Sequence, residues 1–418
     1  MHAWMVWGAA GLFVLYQVVL QASASIMEQG LIHDLHISNA QLGALGSSFY
    51  YTYLTLQIPA GLVVAHYGPR KAMTIGLIGC AVSALGFGFS QNLDTAEAMR
   101  VLMGMFAAPA VVSTLTIASR WFSPAKFALL AGLTEMLGSI GGALGQDLLS
   151  LVVAEWGWRI TMFTCAGTGV VLALLAWGAV RDIPAKSYPG TASGGESRPL
   201  KINLRRVLGS FQIWNVGMIC GLIFAVATAF ALLWSVPFLQ TKYGMSLTHA
   251  ALATSMLLWG NVIGLPSVGG LSSRLSRRKP VLRLGGLGSL ALISIIIYGP
   301  PLPFIGICVV LFLCGLTSSV YVLAFEIAGE ISAPDDRSAV LGMTNMLCML
   351  MGGWLLQPLI GLLLQPTTPP AGSEVSVISI NNYQTALSVL PAGIGLAMIL
   401  LFFLPETGGL RTDLRKRK

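Results

Sequence analysis

Two residues stand where this chain otherwise avoids charge, and both are of a type that does chemistry. Glu135 lies in GLTEML, residues 132–137, about nine residues into a long apolar run that opens near residue 127. At 1.5 Å per helical residue, that places it roughly 14 Å inside the run. A carboxylate at such a depth in hydrocarbon costs about 3 kcal/mol. A carboxyl there can gain and lose a proton during a transport cycle. It can equally stay protonated and hydrogen-bond across a helix interface, and Gly138, Gly142 and Gly145 share nearly the same face and suit close helix packing. Arg100 is the second residue. It stands about one turn inside the outer end of the run near 96–119, where a guanidinium needs water or a carboxylate. Asp147, at similar depth in the next run, is one candidate partner. A substrate carboxylate or phosphate, gripped through two hydrogen bonds, is the other.

GLTEML returns 210 positions later as GMTNML, 342–347, with four of six letters kept and Asn345 in place of Glu135. Asn345 keeps the polarity and size and carries no titratable proton. One half of a duplicated chain therefore holds the ionisable group.

Composition decides what must position these residues. Hydrophobic residues make up 55%, charged residues 10%, and the mean hydropathy is +0.77. So few charges cannot cover a water-facing surface, so the chain dissolves in a lipid bilayer. Twelve apolar stretches are long enough to cross as helices, near 4–24, 40–63, 72–90, 96–119, 127–151, 160–180, 210–237, 247–268, 281–299, 303–325, 339–364 and 383–404. The period-two pattern of a membrane barrel is absent, so the expected fold is an all-α membrane protein with 12 transmembrane helices in two pseudo-symmetric six-helix bundles. The first span is too long for a cleavable leader and is expected to be retained.

The net charge of +8 reports orientation rather than a polyanionic partner. Of 24 Lys and Arg, all but Arg100, Arg159 and Lys242 fall on one side of the membrane, which the positive-inside rule makes cytoplasmic along with both termini. Nucleic acid is thus not an expected partner. The six cysteines sit within apolar spans without a CxxC pair and read as small hydrophobes, so neither a metal nor another cofactor is expected.

Self-comparison divides the chain. ISNAQLGAL at 37 matches MSLTHAALA at 245, GLVVAHYGPRK (61–71) matches GGLSSRLSRRK (269–279), and IASRWFSPAKFALLAG matches IAGEISAPDDRSAVLG at an offset of 210. Between the halves, VRDIPAKSYPGTASGGESRPLKINLRR is polar and rich in Gly, Ser and Pro, as a linker would be. The organisation read from this is an N-terminal bundle over 1–180, a cytoplasmic linker over 181–207, a C-terminal bundle over 208–405 and a basic tail over 406–418.

With these features the chain resembles the major facilitator superfamily over essentially its whole length. Gly61, Gly68, Arg70 and Lys71 are similar to that family's motif between helices 2 and 3, Gly-x-x-x-Asp-Arg-x-Gly-x-Arg-Arg, and Gly269, Arg274, Arg278 and Lys279 form a weaker second copy. Arg100, Gly104 and Ala107 resemble the fourth-helix motif, and Pro405-Glu406-Thr407 resembles the ending of helix 12. Ala65 and Ser273 stand where the family's loop aspartate would help latch the two halves, so Arg70 and Lys71 are left either to gate or simply to hold topology. The resemblance implies parallel halves with a substrate site near the midplane. It implies a central cavity lined by helices 1, 4, 7 and 10, which carry Tyr16, Gln17, Gln21, Arg100, Asn215, Thr228, Trp234, Thr317, Ser319 and Tyr321, with Tyr50, Tyr51, Tyr53 and Gln57 on helix 2. Each of these aromatic and polar residues can instead be packing.

GSIGGALG, 138–145, lacks the Gly-Pro pair of many drug/proton antiporters, which favours uptake, and the general pattern resembles the bacterial branch of nutrient and phagosomal nutrient transporters. The expected activity is secondary active transport of a small polar or anionic solute, such as an amino acid, peptide, nucleoside or organic acid. Protons are the expected coupling ion, alternating access the mechanism, and a bacterial inner membrane the location, with a single chain acting alone. Export of a siderophore or drug-like compound is the alternative. An integral membrane enzyme is disfavoured because no metal-ligand cluster appears, and direct ATP drive because no phosphate-binding loop of the Gly-x-x-x-x-Gly-Lys-Ser/Thr type is present.

Overall fold

Each apolar run folds as a helix, since a backbone without water must close its own hydrogen bonds. The computed structural model describes residues 2–122, 124–181, 204–275, 277–332, 337–364 and 379–407. Most of the expected linker and the tail beyond Thr407 lie outside the described residues. Twelve spans follow in order. In the first half they are α1 (His2–Ile26), α2 (Asn39–Thr55 continued by Gln57–Tyr67), α3 (Pro69–Gly88), α4 (Leu93–Ala107 continued by Pro109–Trp121), α5 and α6. The last two share one helical stretch, Pro124–Ala179, turned at Gly157, whose φ of 76° suits glycine alone. In the second half they are α7 (Phe211–Tyr243), α8 (Leu247–Leu275), α9 (Lys279–Tyr298), α10 (Phe304–Ile331), α11 (Arg337–Leu363) and α12 (Ile380–Phe403). A short helix, Glu28–Leu35, lies between α1 and α2. By length and apolarity alone ten helices qualify as spans; one of these, Leu129–Ala179, holds both α5 and α6, and α2 is interrupted at Leu56.

The chain divides into two compact units, Met1–Arg198 and Pro199–Lys418. Local sequence sets the helix ends. Ser38 accepts from the Gln41 amide at 3.3 Å while its own amide donates to Gln41 Oε1 at 2.8 Å, a capping box that starts α2. Its counterpart Ser246 accepts from the His249 amide at 3.3 Å and starts α8. Gly68, with φ 83°, turns α2 into α3.

Both copies of the loop motif tie down the end of their own unit. Arg70 donates from Nε and Nη2 to the Trp177 carbonyl at 2.9 and 2.6 Å and lies 4.2 Å over the Trp177 ring, so it caps α6. Lys279 Nζ donates to the carbonyls of Phe402 and Leu404 at 3.3 and 2.7 Å, capping α12. Glu406 accepts from the amides of Arg278 and Lys279, and the Arg278 guanidinium meets Glu326 at 2.8 Å, Glu330 at 3.4 Å and Ser272 Oγ at 2.7 Å. Lys71 is exposed, and the side chain of Arg274 lies outside the described residues.

The duplication is also visible in packing. A Cβ at Gly104 of α4 would run into the Phe49 carbonyl of α2, and one at Gly315 of α10 into the Leu257 carbonyl of α8. Leu137 of α5 fills the space left by Gly11 of α1, as Leu347 of α11 fills that of Gly217 of α7. Gly104→Ala should therefore lower stability by about 1–3 kcal/mol, because the clash is with backbone that cannot rotate away. Gly167→Ala, which meets nothing within 4 Å, should leave it unchanged. Thermal unfolding of the two purified variants checks this.

Candidate functional site

The expected polar residues of unit 1 converge where α1 and α2 meet. Gln17 and Gln21 are one helical turn apart on α1, and Tyr50, Tyr53 and Gln57 recur at spacings of three and four on α2, so each set shares a face. Gln17 Nε2 donates to the Tyr53 hydroxyl at 3.4 Å, and the Tyr50 hydroxyl donates to Gln21 Oε1 at 3.2 Å. Tyr53 also hydrogen-bonds with Gln57 and lies within electrostatic reach of Glu135. This buried tyrosine joins the cluster to the α5 carboxyl, and it was a minor candidate from sequence. Its signal was the spacing shared with Tyr50 and Gln57.

Glu135 itself is exposed, although protein crowds it on many sides, and it has no hydrogen-bond or ion-pair partner among the described residues. The carboxyl is therefore not spent on a helix interface. The repeat holds at the level of side-chain direction. Thr134 and Thr344 are both fully buried and bond back to the Leu130 and Val340 carbonyls at 2.8 and 2.9 Å, while the next residue in each helix, Glu135 or Asn345, is more accessible.

Arg100 is 1% exposed. Its Nη1 donates to the Leu20 carbonyl at 2.8 Å and to Ser23 Oγ at 3.4 Å, its guanidinium lies 5.7 Å over the Phe49 ring, and its Nε is buried without a partner. These bonds go to α1 rather than to Asp147. The other two cations away from the cytoplasmic margin are fully engaged. Lys242 donates to the carbonyls of Ile296, Ile297 and Gly299 at the end of α9, and Arg159 pairs with Asp34 and donates to the Ser90 carbonyl.

Other expected residues stay in the cores of their units. The Tyr16 hydroxyl donates to the Cys165 carbonyl of α6 at 2.9 Å. Asn215 donates to the Leu400 carbonyl of α12 at 3.2 Å, Trp234 Nε1 donates to the Gln357 carbonyl at 3.0 Å, and Tyr321 packs against the Phe224 ring. Sequence reasoning missed Gln357 and Glu28. Glu28, 6% exposed at the start of the short outer helix, has one oxygen without a partner, and burial pushes its carboxyl up to about 8. No group of three or more metal-ligating side chains occurs among the described residues.

Twelve membrane helices in two halves that share caps, loop clamps and close contacts, with a polar cluster inside the span, define a membrane carrier of solutes. The chain belongs to the Major Facilitator Superfamily, whose family profile matches residues 9–356. It is 23% identical over 381 residues to the probable sulfoacetate transporter SauU of Cupriavidus necator, covering 84% of this chain and 87% of that one. It is 24% identical to the hexuronate transporter of Bacillus subtilis over 63% of each chain. Its fold is similar to that of a bacterial homologue of the human lysosomal transporter Spinster (TM-score 0.76, 16% identity, 96% of this chain and 95% of that one). The nucleoside transporter NupG is similar too, with TM-score 0.74, 14% identity and 95% and 99% coverage. The protein is a multi-pass membrane transporter.

Two outcomes follow from the cluster and its outer rim. Tyr53→Phe removes the group that Gln17 and Gln57 share and should cost about 1 kcal/mol in unfolding measurements. Combined with Gln17→Leu the losses should not add, with a coupling of about 0.5–1.5 kcal/mol. On the rim, hydrogen bonds from His33, Trp158 and Arg159 hold the Asp34 carboxyl at about 2. A depressed acid stabilises the fold above its unfolded pKa and loses that contribution only as pH falls towards 2. Asp34→Asn should therefore lower the Tm by the same amount at pH 5 and pH 8.

Proposed function

We propose that the protein takes up a small organic anion with protons by alternating access, in a bacterial inner membrane with both termini cytoplasmic. The observation that carries this reading is Arg100, a fully buried guanidinium whose hydrogen bonds go to a carbonyl and a hydroxyl and whose Nε is unpartnered. A buried cation without a counter-charge attracts an anion strongly, because little water screens it. Carboxylate, sulfonate and phosphate all fit a guanidinium's paired donors. The named substrates of several relatives, sulfoacetate, hexuronate, galactonate and hexose phosphate, carry such groups and support the same class.

Glu135 supplies the proton site. It faces accessible space, lies within reach of the Tyr53–Gln17–Gln57 cluster, and has an uncharged counterpart in Asn345. An anion and a proton entering together leave the unit's charge unchanged, which lowers the cost of moving the loaded carrier across hydrocarbon. Glu28 is a second carboxyl that takes up a proton near neutral pH.

A thermal-shift screen with sulfoacetate, D-galactonate, a hexuronate, a hexose phosphate and an uncharged nucleoside tests the substrate class, since a ligand stabilises the state it binds. At least one anion should raise the Tm, and the nucleoside should not; the reverse result would rule out an anion carrier. Arg100→Lys should weaken the anion at least tenfold, about 1.4 kcal/mol, with folding intact. Glu135→Gln should keep that binding and lose accumulation of the anion in proteoliposomes under an inward proton gradient. Accumulation at the wild-type rate would remove Glu135 from coupling.

A further inference from the structure

Unit 2 contains two stretches that unit 1 does not. The middle of α7, Val226–Trp234, and the middle of α11, Leu350–Leu356, are wound as π-helix, and they pack on one another. A π turn is an α-helix with one residue too many, and the extra residue can be read from the repeat. Leu137 and Leu347 stand 210 apart, yet Gly141-Gly142 and Gln146 correspond to Gly352-Gly353 and Gln357 at 211. On the other helix the offset rises from 206 at Gly11 and Gly217 to 208 at Ser38 and Ser246. The second half has thus gained residues where its helices widen.

A widened turn displaces carbonyls from their regular donors, and in hydrocarbon these need others. The Phe224 carbonyl accepts from Thr228 Oγ1 at 3.2 Å, and the Thr228 carbonyl accepts from Gln357 Nε2 at 2.8 Å. The Gln357 carbonyl accepts from Trp234 Nε1 at 3.0 Å. The polar chain thus runs from α7 to α11 and back. Gly352 makes room for it, since a Cβ there would meet Thr228 Oγ1. On either side of its π stretch, α7 is fixed to different neighbours. Asn215 holds the inner part to α12, and Lys242 holds the outer part to α9. The looser turn is the only segment between two anchored ends.

We propose that the paired π turns of α7 and α11 are the flexing joint of unit 2, with Gln357 as the positioning residue that makes the two helices bend together. The proposal rests on the protein being a solute carrier, which needs a moving part, and not on proton coupling or on the charge of the substrate. Amide hydrogen exchange of the full chain in lipid nanodiscs without substrate reads it directly, and so stands apart from the anion screen.

Amides of 226–234 and 350–356 should exchange at least tenfold faster than those of the matching stretches of α1 and α5, because a π turn opens more readily. Gln357→Leu should raise exchange at least threefold in both helices while α9 and α10 stay unchanged. Deleting Leu350, which removes the extra residue of α11, should slow exchange in both. Equal protection of the two units in the wild type, or a Gln357→Leu effect confined to α11, would overturn the joint. Should the deletion variant fail to fold, the Gln357→Leu comparison decides alone.

Discussion

A backbone carbonyl in hydrocarbon must find a donor, and much of this structure follows from that requirement. An unpaired polar group away from water costs several kcal/mol. Helix interiors satisfy themselves, so the debt falls on helix ends and irregular turns. Side chains with long reach settle it: Arg70 at the end of α6, Lys279 at the end of α12, Lys242 at the end of α9, Arg100 on α1, and Gln357 at the α7 turn. Basic residues suit helix C-termini twice over, as donors and as charges facing the negative end of the dipole. The loop motif in each half is therefore a cap for its own bundle, whatever further part it takes in gating.

The two units spend the same scaffold differently. Close glycine contacts, capped second helices and buried Thr134 and Thr344 recur at fixed offsets, so the frame is shared. Onto it unit 1 places ionisable groups, Arg100 and Glu135. Unit 2 holds neutral Asn345 at the second site and adds a residue to two helices instead. An exact copy would have given both halves equal claims on proton and anion. The divergence confines charge to one unit and irregular backbone to the other.

Much of this was legible in the sequence, and the failures share a cause. Apolar run length gives spans directly, because bilayer thickness fixes them, and the GLTEML/GMTNML echo gave the equivalence of Glu135 and Asn345. The i, i+3, i+7 spacing of Tyr50, Tyr53 and Gln57 put three polar groups on one face. Which face is core and which is open, however, depends on the neighbours. Tyr16, Asn215, Trp234 and Tyr321 are polar or aromatic on cavity-type helices and nonetheless pack inside their units. Arg100 was assigned Asp147 by depth alone, whereas azimuth around the helix sends it to Leu20 and Ser23. Gln357 was overlooked because its meaning lies in the carbonyl it reaches and not in its own run.

The treatment of Arg100 shows how such a fold keeps binding capacity in reserve. Had Asp147 paired with it, the buried charges would have cancelled, and an incoming anion would have had to displace a carboxylate already in place. Contacts with a carbonyl and a hydroxyl offset only part of the cost of burying a guanidinium, since neither carries a full negative charge. The remainder persists as attraction, and burial preserves it by excluding the water that would screen it. A neutral amide at this position would rest more comfortably in the membrane and attract nothing. The energy spent on holding Arg100 dry is thus the same energy that makes it selective for negative solutes, and the cluster of Gln21 and Tyr50 beside it supplies the neutral donors that shape such a ligand.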